Sequence, residues 1–128
     1  MAASQPAFPQ TPGVLAAVST AMVALHKEQF GRGPTRARSD FAGDDALLCV
    51  LEDALLPAEL AMVEMGDQHR VRESRLYLQV ATADAFIAAI EGLVDRKVRG
   101  FSSAIDPDAN VVFEVFAFEP REVRPIAR

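Results

Sequence analysis

The apolar positions of this chain change period several times, and each change marks an element. Val14, Leu15, Val18, Met22 and Leu25 recur at helical spacing, which places them on one face of a helix. Thr11 and Pro12 stand just before them as a hydroxyl N-cap and a first-turn proline. The helix is predicted from about 12 to about 30. Gly31 is placed to end it in a left-handed conformation, and Pro34 forbids its continuation.

The period then drops to two. In TRARSDF, 35–41, Thr35, Ala37, Ser39 and Phe41 point one way, and Arg36, Arg38 and Asp40 the other. This predicts a strand near a sheet edge. AGDD, 42–45, is a turn, and ALLCVLE, 46–52, is apolar almost throughout, as expected of a central strand. The two strands form a predicted hairpin. LLPAELAMVEMG, 55–66, reads as a helix with Pro57 and Glu59 early and Gly66 at its end. A further helical region covers 68–95, as one helix or as two with a new N-cap at Thr82 or Asp84. Its later stripe is Phe86, Ile90, Leu93 and Val94 with Ile87. KVRGFSSAI and NVVFEVFAF are the last strands, joined by the turn DPDAN.

The predicted order is α-β-β-α-α-β-β, an α+β fold with a four-stranded, mostly antiparallel sheet packed with helices on one face. In the last strand Val111, Phe113 and Val115 face one way, and Val112, Phe116 and Phe118 the other. Both faces are apolar, with Glu114 as the exception. Helices on one side leave the second face uncovered. Homodimerisation through the sheet or its edge is the preferred cover, and a wrapped N-terminal tail carrying Phe8 is the other. One domain spans 12–120, with a disordered tail over 1–11 and a second tail over 121–128.

Composition narrows the classes. The chain has 128 residues, half apolar and a quarter charged, which suits one globular domain. No apolar run approaches the ~20 residues of a membrane span, and the first residues do not read as a signal peptide. Cys49 is the only cysteine, so no intrachain disulfide forms and the expected compartment is the cytoplasm. The net charge of −5 disfavours nucleic acid as a partner. Between Ser39 and His69 there are eight acids and no Lys or Arg. The bases group instead as Arg32/Arg36/Arg38, Arg70/Arg72/Arg75, Arg96/Lys97/Arg99 and Arg121/Arg124/Arg128.

Candidate chemistry is sparse. FGRGPTRAR lacks the spacing of a phosphate-binding loop and runs from helix to strand, which puts its amides at the wrong helix end. Arg32, Arg36 and Arg38 could serve as guanidinium forks for an anion, or pair with nearby acids. Arg36 and Arg38 share a strand face and repel unless acids or an anion lie opposite. His26 and His69 lack metal-ligand spacing, and neither is expected to be catalytic. Cys49 reads as a buried small hydrophobe. RVRESR, 70–75, reads as a solvated helix face with an Arg70–Glu73 pair. No cofactor and no metal site is expected, and the chain is read as a non-enzyme.

Four stretches carry a resemblance: LHKEQFGRGPTRARS, VLEDALLPAE, VRESR, and RKV followed by FSSAIDPDANVVFEVFAFEP. In this order, over about 14–120, the chain resembles the MpsC-type domain family. The matching signature positions are His26, Lys27, Gly31, Gly33, Pro34, Thr35, Leu51, Glu52, Pro57, Glu59 and Arg75. Two positions depart from the pattern: Leu56 stands where a Thr or Ser cap is usual, and Asp95 where Gly is frequent. The resemblance implies a soluble, non-enzymatic accessory or regulatory module, linked to a cation-translocating, membrane-potential-generating or inorganic-carbon uptake system. It brings no established catalytic residue. The expected partners are a second copy and a membrane-associated transport complex, with no direct membrane insertion. The alternative is a small anion or nucleotide sensor using Arg32, Arg36 and Arg38.

Overall fold

The structure is a computed structural model that describes residues 12–121. The expectations for 1–11, including the Thr11 cap, and for 122–128 lie outside the described residues. Helix α1 spans Pro12–Phe30, followed by strands β1 (Arg36–Phe41) and β2 (Ala46–Glu52). Helices α2 (Pro57–Glu64), α3 (Gln68–Ala81) and α4 (Ala83–Val94) come next, then β3 (Val98–Asp106) and β4 (Val111–Phe118). The fold class is α+β, as the pattern predicts.

Three local differences have physical reasons. Helix α2 is shorter than the predicted 55–66, because Pro57 begins it and leaves Leu55 and the extended Leu56 outside, and it ends at Glu64. The region 68–95 is two helices, which meet at 61°. They break at Thr82, whose φ is −113° and whose hydroxyl turns back to the Leu78 carbonyl at 2.9 Å instead of capping α4. Arg70 pairs with Asp67 at 3.3 Å rather than with Glu73.

The sheet order is β1-β2-β4-β3, with all three pairings antiparallel. Register sorts its residues into rows. On one face lie two apolar rows, Ala37–Leu51–Val112–Ile105 and Phe41–Leu47–Phe116–Phe101. Between them runs a third row, Ser39–Cys49–Glu114–Ser103. This is the core face: Leu47, Cys49, Leu51, Val112, Glu114, Phe116 and Phe118 have no exposed surface. Helix α1 packs on β1 and α4, while α3 and α4 pack on β3.

Each of those helices buries a stripe at i, i+4 and i+8. The stripes are Val18–Met22–His26 in α1, Val71–Arg75–Gln79 in α3, and Phe86–Ile90–Val94 in α4. In α4 the stripe is apolar throughout. In α1 and α3 it turns polar partway along: His26 of α1 meets Glu114 of the polar row, while Arg75 of α3 turns to Glu59 and the Ala54 carbonyl.

Candidate functional site: a buried polar row

The joint after α1 sets the position of His26. Gly31 has φ +82° and donates its N–H to the Lys27 carbonyl at 2.7 Å, closing the helix. Gly33 lies against the helix it has just left. A Cβ there would meet the Val23 carbonyl oxygen at 3.0 Å and its Cγ1 at 3.2 Å. Pro34 is buried, and the Thr35 N–H bonds the Glu52 carbonyl at 3.1 Å, starting the β1–β2 ladder. The stretch GRGP therefore folds the chain back so that β1 runs under α1.

His26 has no exposed surface, and its Nε2 stands 3.1 Å from Glu114 Oε2, which is also fully buried. Ser103 Oγ donates to the other carboxyl oxygen, Oε1. Phe86 meets the imidazole edge-on at 5.6 Å, and Phe30 lies tilted at 5.6 Å. The carboxylate thus sits between a hydroxyl and an imidazole. A Ser–His–acid relay needs the imidazole in the middle, where it can take the hydroxyl proton. Here the order is Ser–Glu–His. At the β1 end of the same row, Ser39 Oγ lies 2.8 Å from Ser19 Oγ and donates to Cys49 Sγ at 3.4 Å. Burial pushes the Cys49 thiol up to about 11, with the charges of Glu114 and Asp40 adding to it and the Ser39 hydrogen bond opposing it. A thiol held there is not a nucleophile at neutral pH.

A second buried polar group joins α2 to α3. Arg75 Nε donates to Glu59 Oε2 at 2.8 Å, and Nη2 donates to Glu59 Oε1 at 2.6 Å and to the Ala54 carbonyl at 2.9 Å. Its guanidinium lies over the Phe30 ring at 3.7 Å. Arg75 is 1 % exposed, so the solvated face predicted for RVRESR fails at this residue. A guanidinium is buried when a planar fork meets a carboxylate bidentately. Glu59 does a second task, accepting the Leu56 N–H at 2.7 Å. That is the reciprocal half of a capping box. Leu56 has no side-chain acceptor, so the departure from Thr or Ser at this position removes only the other half.

The arginines singled out in the sequence each face a carboxylate. Arg32 donates to Asp53 Oδ2 at 3.0 Å and to the carbonyls of Asp53 and Leu55. Arg36 meets Glu52, its cross-strand neighbour, at 3.3 Å. Arg38 meets Asp40 at 2.7 Å on its own strand. An anion at this cluster would have to compete with those acids. His69 lies on the surface beside Asp67 at 3.4 Å, far from His26 in role and burial. Among the described residues no group of three or more His, Cys, Asp or Glu could hold a metal ion.

Glu114, Ser103 and Gln79 were not singled out as site residues in the sequence. Glu114 did give a signal, as the one charged residue in an apolar strand. Ser103 and Gln79 gave none, because a serine in a strand and a glutamine in a helix are ordinary surface residues until the packing is known.

Comparison with curated proteins and with solved structures returns no match. The model of one family, described as the Na+-translocating membrane potential-generating system (MpsC), matches residues 13–120. That span runs from the first turn of α1 past the end of β4 and takes in the GRGP joint, the Glu59–Arg75 pair and the His26–Glu114 row. This chain belongs to the MpsC family.

Proposed function

We propose that the chain is a non-enzymatic accessory or regulatory module that works as a soluble homodimer in the cytoplasm, beside a membrane-associated transport complex. Membership of the MpsC family associates it with a Na+-translocating membrane potential-generating system. Among the described residues no single helix is long and apolar enough to cross a membrane. This reading gives the chain its role through protein contacts, without direct insertion, nucleic acid or cofactor. The Ser–Glu–His order and the high thiol pKa of Cys49 support a non-catalytic role.

The observation that carries the reading is the face of the sheet left open among the described residues. Its rows are Arg38–Val50–Phe113–Ala104 and Asp40–Leu48–Val115–Ser102. Leu48, Val50 and Phe113 are only half-buried, and Val115 is 40 % exposed. The centre is apolar and the β1 side carries Arg36, Arg38, Asp40 and Glu52. An apolar centre with a charged rim is interface anatomy. The rim holds both signs side by side, so a second copy related by a two-fold axis can set Arg against Asp in both directions. A face of one sign would repel its own copy. Light scattering coupled to size exclusion is expected to give twice the 13.8 kDa chain mass. A 13.8 kDa species at tens of micromolar would sink the dimer. An anion sensor built on Arg32, Arg36 and Arg38 has less support, since each already answers a carboxylate.

A further inference from the structure

The two edges of the sheet are guarded differently. Among the described residues the order is β1-β2-β4-β3, so β1 and β3 are the outer strands. An outer strand offers a row of backbone groups to any extended chain, and proteins usually blunt it with charge or proline. β1 carries Arg36, Arg38 and Asp40 among its six residues, and each is ion-paired within the chain. In β3, Gly100 to Ile105 carry neither charge nor proline. Register shows which backbone groups of β3 face outward. The Phe118 N–H bonds the Asp45 carbonyl at 2.8 Å, so the even-numbered residues of β4 face β2 and the odd-numbered ones face β3. Ser102, Ala104 and Asp106 lie opposite Val115, Phe113 and Val111 and turn their N–H and C=O toward β4. Phe101, Ser103 and Ile105 turn theirs away from the sheet. The Ile105 carbonyl accepts Arg72 Nε at 3.4 Å. The backbone groups of Phe101 and Ser103 have no such partner among the described residues. Both residues are half-buried, and Ser102 and Ala104 beside them are exposed.

A cleft of about 200 Å³ runs beside this edge, lined by Leu76, Gln79 and Val80 of α3, Ala83 of α4, and Phe101 and Ser103 of β3. Its wall is largely aliphatic, and Val80 is 79 % exposed there. The side chains of a strand added to β3 alternate between the two faces of the sheet. Those opposite Phe101 and Ser103 enter the cleft, which has room for small aliphatic groups. The ends of the edge carry opposite charge. Lys97 and Arg99 stand at its start, Asp106 and Asp108 at its finish, and all four are exposed. None of the four enters an ion pair among the described residues. The charges of the β1 edge are already answered; those of the β3 edge await a partner with the reverse order.

We infer that β3 takes an extended segment of a partner protein as a fifth, antiparallel strand. The segment has small aliphatic residues at alternate positions, a basic residue where it starts beside Asp106, and an acidic one where it ends beside Arg99. Its main chain exchanges hydrogen bonds with Phe101 and Ser103, which supplies affinity, and its aliphatic side chains fill the cleft under Leu76, Val80 and Ala83, which supplies selectivity. This rests on the reading of the chain as a module that works through protein contacts. It does not rest on the dimer, whose charged rim lies at the opposite edge of the sheet.

The test uses an end-capped peptide, Lys-Val-Ser-Val-Ser-Val-Ser-Glu, titrated into the isotope-labelled full chain and followed by amide NMR. Saturable shifts are expected at Phe101, Ser103, Val80 and Ala83, with slowed hydrogen exchange at the Phe101 and Ser103 amides. Methylating the amide nitrogen of the central valine, which faces Ser103, should weaken binding about tenfold or more. Exchanging the terminal Lys and Glu should weaken it about threefold at low salt. Val80→Lys keeps the fold, because that side chain is already in water, and should bind the peptide at least about tenfold more weakly. No saturable shift, equal binding of the methylated peptide, or unchanged binding by Val80→Lys would each overturn the inference. So would loss of the dimer in Val80→Lys, which gives the edge to a second copy. Light scattering on the same samples keeps the two readings apart: saturable shifts in a monomeric protein support the docking edge and sink only the dimer, whereas a dimer without shifts does the reverse.

Discussion

At the scale of single residues, two buried charged groups stand out, and each is answered by partners from distant parts of the chain. Glu114 serves His26 on one oxygen and Ser103 on the other. Removing it leaves both without this partner, His26 in a position with no exposed surface. Glu114→Ala is therefore expected to cost about 3–5 kcal/mol in denaturant unfolding, whereas the His26→Leu/Glu114→Leu double variant should lose much less. A double variant as weak as the single one would show that packing around these residues, not charge burial, dominates. Glu59 behaves differently with pH. Burial pushes its carboxyl up, but the Arg75 hydrogen bonds, the Leu56 N–H and the Arg75 charge together bring it below the ordinary 4.5. Its folded form then binds fewer protons than the unfolded chain in that window. The stabilisation is complete above pH 4.5 and is lost as pH falls through the lower folded value. Urea midpoints should drop on acidification below that point, and Glu59→Gln should flatten part of the drop while lowering stability at pH 7. An unchanged acid slope in that variant would remove Glu59 from the account.

At the scale of elements, helix ends and stripes decide the geometry. The α1 end was readable because Gly31 and Pro34 act locally: one permits φ +82°, the other denies a helical N–H. The α4 end is less well served. Asp95 caps it at φ +59°, a left-handed position that favours glycine. Asp95→Gly is expected to stabilise the protein by about 0.5–1 kcal/mol, relief of that strain being offset in part by the freer unfolded chain. A thermal melt that falls would mean that the Asp95 side chain has a role beyond the cap. The helical stripes were only half readable. Val18 and Met22 predict a core face, but nothing local says that His26, Arg75 and Gln79 continue those stripes inward. The same spacing on a solvated helix would leave them in water. Arg75 has the pattern of a solvated residue for that reason, since its partner Glu59 lies on another helix and 16 residues earlier.

At the scale of the molecule, the described residues form four strands and four helices, which leave one face of the sheet covered and the other open among them. If the open face joins two copies, a charge at its centre should part them. Val115→Lys is expected to leave the fold intact, because that side chain is already 40 % exposed, and to shift the dimer to monomer by light scattering. A dimer that survives it would place the contact elsewhere, at a sheet edge. The element order, the two hairpins, the central position of β2 and the apolar character of both sheet faces all follow from short-range pattern: turn residues, alternation and helical spacing act within a few residues of one another. The pairing of His26 with Glu114 across 88 positions, the burial of Arg75 against Glu59, and the cleft beside Gln79 do not. A polar side chain carries no local mark of whether water or protein will solvate it. That depends on which row of the sheet a helix face is laid against, and only the packed chain settles it.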